Sequence, residues 1–392
     1  MLAPNMSSVG CRAGPLPVAE LTANDLQQGI KFRLKCPACL SASLTTIYQE
    51  PYRADSIQNY LRRHYEGRAS HAADHYTFEL CACAGCGLVF QQQVPDDDML
   101  GEIYNGWVPS TELDREHRDY TLAEYRYLSE QVQFIIEYFG LRPSQLSMLD
   151  FGFGWAHFSK MAMGYGCDVS GAELSEERRA YGQSVGITLV ELESLPPQKY
   201  RFINTEQVFE HLTEPREVLA RLIESLAPDG LIKISVPDAG GALKKIARGV
   251  GFGALAPDEQ MPIAPLEHIN SFNAGSLEAF GKSMGLKLVR PKFRQLYNSA
   301  SGLMAPKTVA RTLLRPLYRH VYPRSTFSYF SRALVLFRPG FCCASSITDS
   351  YPLRYYFHSW LRTYFGGYSL VLLVVRTANP PHIKNCRCNL SC

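Results

Sequence analysis

The sequence LDFGFGWAHFSK, at residues 149–160, predicts more of the fold than any other part of this 392-residue chain. It begins as an apolar strand, passes through Asp150, Gly152 and Gly154, and continues as a segment typical of a helix. Glycine is needed where the backbone turns sharply and approaches a ligand with no Cβ in the way. A single G-x-G turn also occurs as a plain structural connection, so the rest of the sequence has to separate the two interpretations.

A second carboxylate follows 23 residues after Asp150. Glu173 ends the next apolar run, CDVSGAEL, where a carboxylate can accept hydrogen bonds from both hydroxyls of a ribose. From about residue 146 to residue 292, short apolar runs alternate with helical stretches, which is typical of βαβ units and a largely parallel sheet. A dinucleotide site, with a pyrophosphate at the helix N-terminus, shares this geometry.

The D-x-G-x-G motif at residues 150–154 resembles the first motif of class I S-adenosylmethionine-dependent methyltransferases. Residues 200–237 are similar to that family's fourth strand, its Glu-His ending, a helix, a Pro-Asp-Gly turn and the fifth strand. Residues 265–289 are similar to its next loop, helix and sixth strand. The resemblance implies an α/β fold with a Rossmann-like sheet of seven strands, mostly parallel with the last strand antiparallel. It also implies S-adenosyl-L-methionine as the cofactor.

The same resemblance implies a cofactor site at the ends of the first four strands. Its glycine turn would shape the methionine pocket, Glu173 would bind the ribose, and Leu174 would pack under the adenine. Glu191 would meet the adenine amino group, with Glu193 one alternation away on the same face. The predicted cofactor-binding residues are Asp150, Gly152, Gly154, Glu173, Leu174, Glu191 and Gln207.

Two C-x-x-C pairs near the N-terminus predict a structural zinc site, because four thiolates from two tight turns satisfy tetrahedral Zn²⁺. Cys81 could replace one ligand, and four buried free thiols are the alternative. The 43-residue gap between the pairs requires an inserted hairpin or helix, over about Ser56–Tyr65. A zinc-ribbon-like module ahead of this domain resembles the nucleotide-sugar C-methyltransferases of deoxysugar biosynthesis. The predicted ligands are Cys36, Cys39, Cys83 and Cys86.

Methyl transfer from a sulfonium needs proximity and, for oxygen or carbon acceptors, a base near the acceptor. Glu210 and His211 close the fourth strand, and His268 lies in the loop before the next helix. These three residues are therefore the candidate catalytic residues, since histidine is the natural base at neutral pH. Packing against a helix start, for Glu210 and His211, and a role in loop structure, for His268, are the alternatives.

Composition shifts divide the chain into seven predicted segments. They are a flexible arm (1–30), the zinc-ribbon-like module (31–105), a linker helix (106–145), the methyltransferase core (146–292), a basic helical insertion (293–367), a final strand (368–379) and a disordered tail (380–392). Residues 291–392 contain 14 Lys and Arg and one acid, so this part is expected to meet an anionic partner or to be a solvated basic face.

Composition and motifs together predict a cytoplasmic enzyme, since no run of about 20 apolar residues and no secretory signal is evident. The predicted activity is methyl transfer to carbon or oxygen of a small molecule: a sugar, a glycan precursor or a secondary metabolite. The substrate could be phosphorylated or nucleotide-linked, and contact with an anionic membrane is left open. The alternatives are an RNA methyltransferase and a non-catalytic docking protein that binds the cofactor. The sequence does not predict the oligomeric state.

Overall fold

A computed structural model describes residues 29–69, 74–108, 120–289, 295, 299, 334–336 and 369–376. Nearly all of the predicted arm, most of the predicted basic insertion and the predicted tail lie outside these residues. Among the helices of the described residues, none is long and apolar enough to cross a membrane.

The N-terminal part contains small antiparallel sheets and two α-helices. β1 pairs with β5, while β2, β3 and β4 pair in chain order. Helix α1 lies between the two cysteine pairs, where the sequence predicted an inserted element. The elements are β1 (Ile30–Phe32), β2 (Leu44–Pro51), α1 (Asp55–His64), β3 (Thr77–Cys83), β4 (Val89–Gln91), β5 (Gln93–Pro95) and α2 (Asp97–Glu102), followed by a π-helical turn (Ile103–Trp107).

The remaining strands and helices alternate along the chain. They are α3 (Leu122–Phe139), β6 (Ser147–Phe151), α4 (His157–Gly164), β7 (Asp168–Ala172), α5 (Glu176–Ser184), β8 (Thr188–Leu189), β9 (Tyr200–Glu206), α6 (Pro215–Ser225), β10 (Leu226–Pro237), α7 (Gly240–Ile246), α8 (Pro257–Gln260), β11 (Asn270–Ser271), α9 (Ala274–Ser283), β12 (Leu286–Leu288), β13 (Leu334–Leu336) and β14 (Ser369–Arg376). Short 3₁₀ turns connect some of them.

The large sheet has the spatial order β12-β14-β10-β9-β6-β7-β8. Its pairs from β10 through β8 are parallel, and β14 runs antiparallel between β10 and β12. This arrangement confirms the predicted Rossmann-like α/β sheet with an antiparallel last strand. The carboxyl ends of β6, β7 and β9 are therefore neighbours at one edge, which is where ligands bind in such sheets.

The strand count differs from the prediction. An eighth strand, β13, pairs in parallel with β14, and it lies inside the segment that was predicted to be a helical insertion. The apolar run around it, residues 333–337, is too short for periodicity to separate strand from helix, so the sequence pattern missed it. The rest of the proposed basic helix lies outside the described residues.

Helix α3 precedes the first strand of the large sheet and has clear start and stop signals. Thr121 and Glu124 form a capping box, in which each side chain bonds the other residue's backbone amide. Gly140 ends the helix in the left-handed conformation, with φ of 63°. The helix occupies only the middle of the predicted linker, 106–145, and residues 109–119 lie outside the described structure.

The N-terminal part shares its sheet and its core with the large domain. Asn270 and Ser271 of β11 pair antiparallel with Phe90 and Val89 of β4, which extends the small sheet to four strands. The buried cluster around Phe202 in the large sheet also continues through Phe90. The N-terminal part, which was predicted to be a zinc-ribbon-like module, is thus packed directly against the loop that precedes α9. The boundaries of the seven segments stay predictions.

Candidate active site

The glycine turn follows β6 at the carboxyl edge of the sheet. Gly152 and Gly154 have φ of +72° and +53°, a backbone conformation that residues other than glycine rarely adopt. A Cβ at Gly152 would lie 2.5 Å from Cγ2 of Val208, so the turn approaches the end of β9 at a distance only glycine permits. No heavy atom lies within 4 Å of a Cβ built on Gly154.

Glu173 connects this turn to the end of β7. Its Oε2 accepts a hydrogen bond from the Gly154 amide at 2.9 Å, and its Oε1 accepts from the amides of Leu174 (2.8 Å) and Ser175 (3.0 Å). A carboxylate has about four lone-pair sites, so Oε2 retains one for a ligand. The predicted ribose-binding acid and the predicted glycine turn are thus in direct contact.

Asp150 lies behind the turn and is 2% exposed. Its oxygens accept hydrogen bonds from the hydroxyl of Ser159 (2.6 Å) and the amide of Asn204 (2.8 Å), which join β6 to α4 and to β9. Burial raises the pKa of Asp150, and these two hydrogen bonds oppose that effect. Its carboxylate therefore supports the turn from inside the protein, and its place among the cofactor-binding residues stays a prediction.

Leu174 is 96% exposed, although it is a large apolar side chain at the carboxyl edge of the sheet. An exposed apolar side chain next to a polar site is typical of a ligand-binding surface, and a flat ring could cover Leu174. Gln207 follows β9 with φ of +54°. Its backbone amide donates to the backbone carbonyl of Ser235 at 2.8 Å. Both residues lie at the same edge as the glycine turn.

Glu191, the predicted contact of the adenine amino group, is paired with an arginine. It forms a salt bridge with Arg179, with an N–O distance of 2.5 Å, and this bridge lowers its pKa. The guanidinium occupies part of this carboxylate, and the contact with an adenine amino group stays a prediction. The alternation with Glu193 was wrong, because β8 ends at Leu189 and residues 192–194 form a 3₁₀ turn.

The three candidate catalytic residues come together although His268 is 57 positions beyond His211 in the chain. One carboxylate oxygen of Glu210 and one ring nitrogen of each histidine all lie within 4.8 Å of one another. The imidazole rings of His211 and His268 meet edge to face, with centroids 4.7 Å apart. Glu210 is 1% exposed, and within the described residues neither of its carboxylate oxygens has a hydrogen-bond partner.

Burial sets the protonation of this cluster. It raises the pKa of Glu210 well above its ordinary value and lowers the pKa of His211. Burial, together with the neighbouring His211, lowers the pKa of His268 to about 3. Glu267 behaves differently: burial acts to raise its pKa, but its interactions with His64 (3.1 Å), His268 and Tyr65 together outweigh this, and the pKa falls to about 2.

Arg33 and Asn270 fix the backbone on both sides of the cluster. Arg33 donates to Oδ1 of Asn270 (2.8 Å) and to the carbonyls of Leu212 (3.0 Å) and Thr213 (2.8 Å). Asn270 in turn donates its side-chain amide to the carbonyl of Leu212 and its backbone amide to that of Glu210. Sequence reasoning missed both residues, since Arg33 lies far away in the chain and no motif marks it.

The four predicted zinc ligands also converge. Their sulfurs lie within 4.8 Å of one another, with Cys36 and Cys86 3.5 Å apart and Cys39 and Cys83 3.4 Å apart. Sulfurs at the corners of a Zn²⁺ tetrahedron lie about 3.8 Å apart when each Zn–S bond is about 2.3 Å. The alternative ligand, Cys81, is not in the cluster; its sulfur contacts the hydroxyl of Thr46. The donor set therefore fits structural zinc.

Comparison with known proteins identifies the large domain. Residues 115–290 match the family model described as a methyltransferase domain. These residues form a methyltransferase domain. The match confirms the predicted enzyme class and the resemblance to S-adenosylmethionine-dependent methyltransferases. It ends before the predicted insertion and excludes the cysteine module, so it does not test the similarity to nucleotide-sugar enzymes.

Solved structures similar to this chain share little sequence with it. The plantazolicin methyltransferase BpumL in complex with SAH is 16% identical, with a TM-score of 0.36 over 55% of this chain and 86% of that chain. The 1,6-didemethyltoxoflavin-N1-methyltransferase of Burkholderia thailandensis is 14% identical, with a TM-score of 0.33 over 50% and 77%. With TM-scores this low, the likenesses carry no argument about substrate. No curated protein matches the chain.

Proposed function

We propose that this chain transfers a methyl group from S-adenosyl-L-methionine to a small-molecule acceptor. The observation that carries the proposal is the 2.9 Å hydrogen bond between the Gly154 amide and the Glu173 carboxylate. It joins a close glycine turn to an acid at the adjacent strand end, inside a methyltransferase domain. A nucleoside with a charged sulfonium needs both features, since its ribose requires a carboxylate and its methionine part a turn without side chains.

The cofactor is proposed to lie across the ends of β6, β7 and β9. Its ribose would donate to Glu173, and its adenine would cover the exposed side chain of Leu174. The methionine part would follow the turn at Gly152, with Gln207 beside it, directly after the neighbouring strand β9. Covering the Leu174 side chain would remove apolar surface from water and contribute to affinity.

The acceptor is proposed to meet Glu210, His211 and His268. These residues follow β9 or lie in the loop held beside it, so they face the same edge of the sheet as the cofactor. Either imidazole could then receive the proton that a carbon or oxygen acceptor loses. A sugar, a glycan precursor or a secondary metabolite remains the proposed acceptor class, with the phosphorylated or nucleotide-linked forms included.

Zinc is proposed to occupy the site formed by Cys36, Cys39, Cys83 and Cys86. A Cys₄ site has no open coordination position, so its role would be structural. When bound, zinc would fix the turn before β2 and the turn after β3, and hence the small sheet that contacts the loop before α9. The cytoplasmic location and the anionic partner of the basic segment are likewise predictions.

The decisive experiment for the activity is a metabolite-extract screen with methyl-labelled S-adenosylmethionine, followed by identification of the labelled product. We expect label in a small molecule with wild-type protein, and strongly reduced label with Glu173→Ala. Label in co-purified RNA would favour the RNA methyltransferase instead. Binding of NAD in place of S-adenosylmethionine would contradict the proposal.

A further inference from the structure

The carboxylate of Glu210 is buried with no hydrogen-bond partner among the described residues. A buried carboxylate is normally neutralised by a proton, paired with a cation or bound to a metal. The basic groups nearest in this cluster are the imidazoles of His211 and His268. The distance from Nε2 of His211 to Oε1 of Glu210 is 3.9 Å, which is too long for a hydrogen bond.

Both histidines are oriented by their other nitrogen. Nδ1 of His211 lies 3.1 Å from the carbonyl oxygen of Glu267, and Nδ1 of His268 contacts the carbonyl oxygen of Met261. Histidines that bind metals typically donate one ring N–H to a carbonyl or a carboxylate, which fixes the ring and leaves the opposite nitrogen as the ligand. Nε2 is therefore the nitrogen through which each ring would coordinate.

The spacing within the cluster suits a shared ion. Two donor atoms that are each about 2.1 Å from one cation lie about 3–4 Å apart. The 3.9 Å distance between His211 and Glu210 falls in that range, and all three donors lie within 4.8 Å. We infer that Glu210, His211 and His268 bind one divalent transition-metal ion, separate from the cysteine site.

The donor set defines the class of metal. Two imidazoles and one carboxylate suit Zn²⁺, Mn²⁺, Fe²⁺ or Co²⁺, whereas Mg²⁺ and Ca²⁺ prefer oxygen ligands only. Three protein ligands leave coordination positions open for a substrate oxygen. This last point rests on the proposed methyl transfer: with metal present, the histidines would act on the acceptor as metal ligands and not as free bases.

Binding of Mn²⁺ to the full-length chain tests this inference directly, because Mn²⁺ is a poor partner for four thiolates. The signal of hydrated Mn²⁺ in electron paramagnetic resonance measures the unbound ion, with neither cofactor nor acceptor present. We expect one equivalent to bind to the wild-type chain. His268→Ala and Glu210→Gln should each weaken binding by about tenfold or more. His75→Ala removes an exposed histidine of the N-terminal part and should leave binding unchanged.

Glu210→Gln keeps the size of the side chain and replaces one carboxylate oxygen with an amide nitrogen, so it should fold even where His268→Ala does not. Its thermal unfolding midpoint without metal should match or exceed that of wild type, and Mn²⁺ should no longer raise it. Absence of Mn²⁺ binding, or binding that Glu210→Gln retains in full, would overturn the inference. Neither outcome depends on methyl transfer, so a failure here is distinct from a failure to bind S-adenosylmethionine.

Discussion

Gly152 and Gly154 share a positive φ but differ in their surroundings. A side chain at Gly152 would collide with Val208, whereas the space around Gly154 is open. Sequence reasoning marked both glycines equally, because a G-x-G pattern contains no information about the strand that packs against it. The structure therefore assigns the closer contact with β9 to Gly152 and the hydrogen bond with Glu173 to Gly154.

Gly152→Ala should lower the free energy of unfolding by at least about 2 kcal/mol, since the Cβ adds a steric clash to backbone strain. Gly154→Ala adds only the backbone strain of the left-handed region, so it should lower the free energy of unfolding by about 1 kcal/mol. Urea denaturation followed by circular dichroism measures both changes. Equal losses in the two variants would show that the approach of Val208 to the turn is not as described.

Glu173→Gln should weaken binding of S-adenosylmethionine by about tenfold or more, because hydrogen bonds to a charged acceptor contribute about 1.5–3 kcal/mol. Glu191→Gln is the matched control, since its carboxylate is exposed and paired with Arg179. That control should change the affinity by no more than about twofold. Isothermal titration calorimetry compares them, and a larger loss in Glu191→Gln would support its predicted role at the adenine.

At the scale of elements, one buried arginine connects two parts of the chain. Arg33 follows β1, is 8% exposed, and bonds the loop after β9 as well as Asn270 of β11. The loops that present His211 and His268 are therefore held by the N-terminal part. The cysteine module thus contributes to the shape of the active-site loops.

Arg33→Ala should lower the free energy of unfolding by about 3 kcal/mol, because it leaves several buried acceptors without their donor. Arg53→Ala, at an exposed position in the same part of the chain, should change it by less than about 0.5 kcal/mol. Guanidinium denaturation measures both. A loss in Arg33→Ala no larger than that in Arg53→Ala would contradict the described bridge.

Sequence patterns predicted the secondary-structure elements better than the contacts between elements that are far apart in the chain. The glycine turn, the acid after β7 and the parallel sheet follow from local motifs and periodicity, and the large sheet has the predicted organisation. The pairing of β4 with β11 and the bridge from Arg33 are contacts between distant residues, which no local motif encodes. The salt bridge between Glu191 and Arg179 was missed for a similar reason, because β8 is only two residues long and Arg179 lies on another element.

At the scale of the whole molecule, the cysteine site and the methyltransferase domain share one buried core. Cys36 and Cys83 belong to the same cluster of buried side chains as Phe202 and Ile234 in the large sheet. A ligand that stabilises the cysteine site should therefore stabilise the domain that binds the cofactor, since binding to the folded state alone raises stability.

Cys39→Ser should remove one equivalent of zinc and lower the thermal unfolding midpoint of the whole chain. Cys81→Ser is the control, because Cys81 is buried but lies outside the four-sulfur cluster. Elemental analysis and differential scanning calorimetry give the two readouts. Loss of zinc in Cys81→Ser, with retention in Cys39→Ser, would mean that the ligand set is wrong.

The central claim is that a sulfonium nucleoside binds between the glycine turn after β6 and the acid after β7. Titration calorimetry of the full-length protein with S-adenosylmethionine tests it most directly. The structure predicts saturable binding with one molecule per chain, abolished or strongly weakened in Gly152→Ala at temperatures where that variant is folded. An absence of binding to the wild-type protein, or equal binding to the variant, would contradict it.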